Sequence, residues 1–108
     1  MLPLFWMLVG HAVADYPLQS DWLSVAKNPT LQPVSGQTIW PGALACHAAI
    51  HAGAVALATS AWQLALAEFV AHGAIDYWKC RGGLTYNGDQ LLHLLCKLVW
   101  AFSLAMFL

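Results

Sequence analysis

Residues 60–78 read SAWQLALAEFVAHGAIDYW, and the rest of the chain takes its meaning from this stretch. It is almost wholly apolar, and its length falls in the range of about 17–25 residues that a membrane-spanning helix needs. Glu68, His72 and Asp76 interrupt it, each four positions after the last. That spacing stacks them on one face of a helix over two turns. An apolar helix with one acidic and imidazole stripe has a polar partner to meet.

The same pattern recurs outward from there. Gly10-His11-Ala12-Val13-Ala14-Asp15-Tyr16 matches Ala71-His72-Gly73-Ala74-Ile75-Asp76-Tyr77, an H-x3-D-Y element present twice. His11, Asp15 and Gln19 share one face, as do His47 and His51, and as do Asp89, His93 and Lys97. Apolar segments at about 1–18, 40–58, 60–78 and 91–108 carry these stripes, which predicts an all-α fold. The expected architecture is a four-transmembrane-helix bundle made of two related hairpins, a single integral membrane domain over residues 1–108. Asn28-Pro29, Pro33 and Ser35-Gly36 mark the first connection as loop, and Gly82-Gly83 with Asn87-Gly88 break the third. A parallel repeat of this kind implies a pseudo-twofold axis along the membrane normal.

Composition agrees with a membrane solvent. Hydrophobic residues make up 60% of the 108 and charged residues 8%, against roughly 25% charged in soluble domains. The net charge of −1 and the lack of a basic run give no reason to expect nucleic acid as a partner. Cys46, Cys80 and Cys96 form no C-x-x-C pair and are odd in number, so they read as packing residues rather than a disulfide framework. The run ending Ala12-Val13-Ala14 has the look of a cleavable leader, but it lacks a basic n-region and contains His11. It is therefore expected to remain as a helix.

Lys27 lies in the first connection and Lys79 and Arg81 in the third, while the turn near Thr59-Ser60 has no positive charge. Under the positive-inside rule the longer loops face the cytoplasm and both termini face outward, in a membrane crossed several times. Trp22, Trp40 and Trp78 fall near that interface. In this topology all four stripes sit in the same half of the bilayer. A charge at the bilayer centre costs about 2.5–3.5 kcal/mol on insertion scales, so the stripes should face inward and compensate one another or hold a cation.

Imidazole with carboxylate is a ligand set for Zn, Mn or Fe, and paired ligands on bundle helices build such sites. The expected metal-facing residues are His11, Asp15, His47, His51, His72, Asp76, Asp89 and His93, around one divalent ion (Zn or Mn) or two. A lone intramembrane His more often bonds a neighbouring helix, but here all five belong to stripes. Glu68 and Asp89 are candidate catalytic acids or bases, although Glu68, a turn deeper, could equally bond a helix amide. Gln19, Lys79, Arg81 and Gln90 are candidates to hold an anionic substrate, with topology a sufficient reason for Lys79 and Arg81. Lys97 reads as the neutraliser of an acid. Haem is disfavoured, because axial histidines need no acid four residues on.

Taken together, His11-x3-Asp15-Tyr16-Pro17-Leu18-Gln19, a His opening the second span, His72-x3-Asp76-Tyr77-x-Lys79 and Asp89-Gln90-x2-His93 resemble a known family. It is the bacterial and phage inner-membrane family catalogued as domain-of-unknown-function family 3307. That resemblance implies a helical membrane protein and no particular activity. The H-x3-D motifs are also similar, more loosely, to membrane-bound metal-dependent hydrolases. The leading expectation is thus a metal-dependent hydrolase acting on a membrane lipid or phosphoester at the cytoplasmic interface. The alternatives are an ion-conducting or metal-sensing module, or a phage or host envelope interaction protein. A homo-oligomer is compatible with any of them.

Overall fold

A computed structural model describes residues 2–108 of the chain. Five helices follow in order: α1 (Leu2–Asp15), α2 (Asp21–Ala26), α3 (Trp40–Thr59), α4 (Trp62–Cys80) and α5 (Tyr86–Phe107). No β-strand occurs among the described residues. The four long helices close a ring in which α1 packs on α3, α3 on α4, α4 on α5 and α5 on α1, while α2 leans on α3. The molecule measures 47 × 23 × 22 Å.

Local chemistry sets where each helix ends. α1 stops at Asp15 instead of running to residue 18, because Pro17 disfavours helical backbone at the residue before it. Pro41 stands in the first turn of α3, where its missing N–H leaves no bond unmade. At the other end Ser60 is left-handed (φ 56°), and its N–H donates to Ala56 O at 2.8 Å to cap α3. α4 ends in a Schellman motif: Gly82 at φ 84° donates to Lys79 O at 2.9 Å, and Gly83 N–H to Trp78 O at 3.0 Å. Thr85 caps α5, its Oγ1 accepting from Gly88 N–H at 3.0 Å. That cap overrides Asn87-Gly88 as breakers and starts α5 ahead of the expected residue 91. α2 lies inside the segment expected to be loop, opened by Ser20, whose Oγ accepts from Leu23 N–H at 3.0 Å.

Among the described residues two helices, α3 and α5, are long and apolar enough to cross a membrane, rather than four. α1 has 14 residues, roughly 21 Å of helix against a hydrocarbon core of about 30 Å. α4 is long enough but diluted by Glu68, His72, Asp76 and Lys79.

The distribution of polarity is inverted relative to a soluble bundle. His11, Lys27, His47, His51, Glu68, His72, Asp76, Asp89, His93 and Lys97 are all buried. Large apolar side chains line the outside, with Leu57 89% and Phe107 76% exposed. The apolar core is a small cluster of Met7, Val55, Ala61, Leu64 and Ala101, at the end of the bundle that carries the α3–α4 turn.

α1 reaches α3 through a close approach at Gly10, where an added Cβ would stand 2.9 Å from Ala54 Cβ. Gly10→Val should therefore separate these helices and lower stability by about 1–3 kcal/mol. Gly53→Ala, with nothing within 4 Å of the new Cβ, should be neutral or stabilising. Thermal unfolding of the two variants in detergent checks the contrast, and equal midpoints would contradict this packing.

Candidate metal centre

The ring closure of the helices brings all five imidazoles together. His51 and His72 stack at 3.7 Å between ring centroids, and His72 and His93 at 4.1 Å. His47 lies 4.8 Å from His51, and His11 lies 5.1 Å from His51. The rings come from α1, α3, α4 and α5, so no helix pair alone could assemble them.

Asp15 is the hub. Its Oδ1 lies 2.8 Å from His51 Nε2 and 3.4 Å from His47 Nε2, and its Oδ2 lies 3.3 Å from His11 Nε2. Gln90 braces it, donating from Nε2 to Asp15 Oδ2 at 3.1 Å and to Asp89 Oδ2 at 3.2 Å. Gln90 Oε1 accepts from His11 Nε2 at 3.0 Å, which fixes the proton of His11 on that nitrogen. Gln90 is thus engaged in holding the site together.

Two sets of ligand atoms converge to within 4.8 Å of one another: Asp15, His47, His51 and His72, and separately Glu68, His72 and His93. An ion bound tetrahedrally at about 2.1 Å from each ligand would bring the atoms of a set to roughly 3.4 Å apart. Both ring nitrogens of His47 and the Nδ1 atoms of His51 and His93 are buried without a hydrogen-bond partner. Buried polar atoms are rarely left so, and imidazole nitrogens without a protein partner are free to take another one. His11, Asp76 and Asp89 reach the cluster but stand outside both sets. His11 is turned to Gln90 and Asp15. Asp76 Oδ2 accepts from Lys27 Nζ at 2.6 Å, and Asp89 Oδ1 lies 3.2 Å from His93 Nε2.

Below the rings, Glu68 closes the pocket. It accepts from Lys97 Nζ at 2.9 Å and Trp100 Nε1 at 2.8 Å, and its Oε2 lies 3.1 Å from His72 Nδ1. Trp100 packs on the apolar cluster beneath, so the pocket is blind at that end. At the loop-bearing end it opens to a cavity of about 70 Å³ lined by residues that include Asp15, Lys27, Asp76, Asp89 and His93. The hydroxyls of Tyr16 and Tyr86 meet across its rim. Gln19 lines this cavity and donates from Nε2 to Asp15 O at 3.3 Å. Lys79, its side chain 34% exposed, also reaches in, 3.8 Å from Asp89 Oδ2. Arg81 does not: it is exposed, with its guanidinium over the Tyr77 ring.

Sequence reasoning missed Lys27 as a site residue. It was legible only as a loop charge, and the folding back of α2 is what buries it. Trp100 was missed because an indole in the middle of an apolar span gives no sign of bonding inward.

Charge gives the cluster its character. Asp15, Glu68, Asp76 and Asp89 face the buried ammonium groups of Lys27 and Lys97 and, at the rim, that of Lys79 beside Asp89, so the four carboxylates outnumber the lysines by one. Asp15 is the carboxylate left without a lysine, set against imidazoles and Gln90, and a bound cation would offset its charge.

The family described as Protein of unknown function (DUF3307) matches residues 3–107 of the chain. No curated protein matches, and no solved structure does.

Lys27→Met leaves Asp76 buried without its cation and should destabilise the protein by about 3–5 kcal/mol. Lys27→Met/Asp76→Asn should recover much of that, and Arg81→Met should change stability by less than about 0.5 kcal/mol. Unfolding midpoints in detergent decide it; a Lys27→Met variant as stable as Arg81→Met would contradict the pairing.

Proposed function

We propose, for a chain that belongs to the DUF3307 family of proteins of unknown function, that it is a membrane-embedded metal-dependent hydrolase acting on a lipid or phosphoester. The observation that carries this reading is the convergence of Asp15, His47, His51 and His72 on one buried point, with His47 unpartnered at both nitrogens.

The membrane part rests on inverted polarity. A long apolar helix inside a soluble protein is mostly buried, whereas only 17% of the most apolar window of α5 is. Lipid is the solvent that accepts such an exterior. α4 fits the same bundle despite its lower hydropathy, because Glu68, His72 and Asp76 point inward and Leu66, Phe69 and Val70 outward. With α1 included, the four long helices form one multi-pass domain. Lys79 and Arg81 mark the loop-bearing end as cytoplasmic, which puts both termini on the opposite side.

Asp15, His47, His51 and His72 would hold a Zn or Mn ion. Such an ion supplies a Lewis acid and makes water a competent nucleophile near neutral pH. The residues around it have separable tasks. Asp89, at the cavity and with Oδ1 lacking a hydrogen-bond partner, is placed to take a proton. Glu68 is not, since three donors hold it below the rings. Lys79 at the rim is placed for the anionic group of a substrate. An apolar groove of about 920 Å³ between α1 and α3 passes Val13 and Ala14 to Leu18, beside that opening, and suits an acyl chain. The cavity itself takes only a few waters at about 30 Å³ each, so a headgroup requires the α2 side of the mouth to move.

That small cavity favours a second reading, in which the bundle holds metal without turnover. Ion conduction fits less well, because the apolar cluster at the far end blocks a through-path.

Detergent-purified protein should contain near-stoichiometric Zn or Mn by elemental analysis, and His72→Ala should lose it. Metal retained in that variant would end the assignment. With metal present, a phosphoester probe in vesicles should turn over at least tenfold faster than with Asp89→Asn; metal without turnover would select the second reading.

A further inference from the structure

Two ligand sets share His72, yet they differ in one respect: the deeper set already contains a cation. Glu68, His72 and His93 are all at most 2% exposed, and their ligand atoms lie within 4.8 Å of one another. His93 Nδ1 is buried there without a hydrogen-bond partner. Lys97 runs into the same space from one turn further along α5, itself 1% exposed, with Nζ 2.9 Å from Glu68 Oε1. We infer that Glu68, His72 and His93 form a latent second metal site, held shut by the Lys97 ammonium in place of an ion.

The inference rests on the metal-binding reading of the upper set and decides the number of ions. A carboxylate and two imidazoles from two facing helices are a sufficient donor set for Zn or Mn, with a fourth position open to water. What the site lacks is a free charge balance. Glu68 has one negative charge, and Lys97 neutralises it at hydrogen-bond distance. A divalent ion arriving beside a fixed ammonium would meet like-charge repulsion in a medium of low dielectric, where such terms are strongest. It would also have to displace a bond that Trp100 Nε1 reinforces from the other side at 2.8 Å. No ammonium bonds the carboxylate of the upper set: Asp15 meets imidazoles and Gln90, and Lys27 is committed to Asp76.

The arrangement also gives Glu68 a task toward the upper site. With Lys97 and Trp100 saturating Oε1, Oε2 accepts from His72 Nδ1–H, which leaves His72 Nε2 with its lone pair for the upper ion. Opening the lower site would take that proton away and turn His72 into a ligand shared by two ions. Lys97 therefore selects a one-ion centre over a two-ion centre.

Zinc titration of the full chain in detergent, read as ions bound per chain, tests this. Wild type should saturate at one ion and Lys97→Met at two. Lys97→Met/Glu68→Gln, which removes the lower carboxylate with its cation, should return to one. One ion in Lys97→Met, or two in the double variant, overturns the inference while leaving the upper site standing. No ion in wild type overturns the metal reading itself. Should Lys97→Met fail to fold without metal, refolding in the presence of zinc should rescue it with two ions bound; failure of zinc to rescue it counts against the inference, and two ions in wild type overturns it outright.

Discussion

Everything in this structure depends on compensating charge inside a bundle whose outside is apolar. Four carboxylates and two ammonium groups are withdrawn from solvent among four helices. Each would be untenable alone, because an ion desolvated without a partner loses several kcal/mol. The chain meets that constraint by pairing Lys27 with Asp76 and Lys97 with Glu68, by setting histidines against Asp15 and Asp89, and by stacking the rings among the acids. The apolar cluster is too small to organise the fold, so the polar column is what specifies how the helices rotate toward one another.

That constraint links architecture to chemistry. Inward-facing polar groups leave the outward faces of the long helices dominated by large apolar side chains. The same groups leave His47 and parts of His51 and His93 without protein partners, which is what a ligand requires. A core built only for stability would not keep those nitrogens open, since apolar residues of similar volume often pack as well or better. The blind end under Trp100 and the polar mouth beside Lys27 and Lys79 give the column a direction, with access from the loop-bearing side.

Stripe periodicity made much of this visible beforehand. Glu68, His72 and Asp76, and Asp89, His93 and Lys97, were legible as inward faces, because a four-residue spacing fixes a direction around the helix axis whatever the neighbours are. Lys97 was legible as the neutraliser of an acid. The boundaries of α1 and α5 were not, because Pro17 and the Thr85 cap act over single residues that an average over an apolar run does not register. α2 was hidden by its length and by the loop-forming residues after it, although Ser20 and Asp21 are a readable helix start.

The amino-acid sequence by itself determined an all-helical chain and the residues that face inward, since these follow from periodicity. Tertiary structure alone decided which of those residues meet. Whether His11 faces Gln90 or an ion, whether Arg81 enters the mouth, and whether Glu68 bonds a lysine or a metal depend on the rotation and offset of one helix against another. Those quantities are set by contacts such as Gly10 on Ala54 and by the return of α2 over the bundle end, which no single helix encodes.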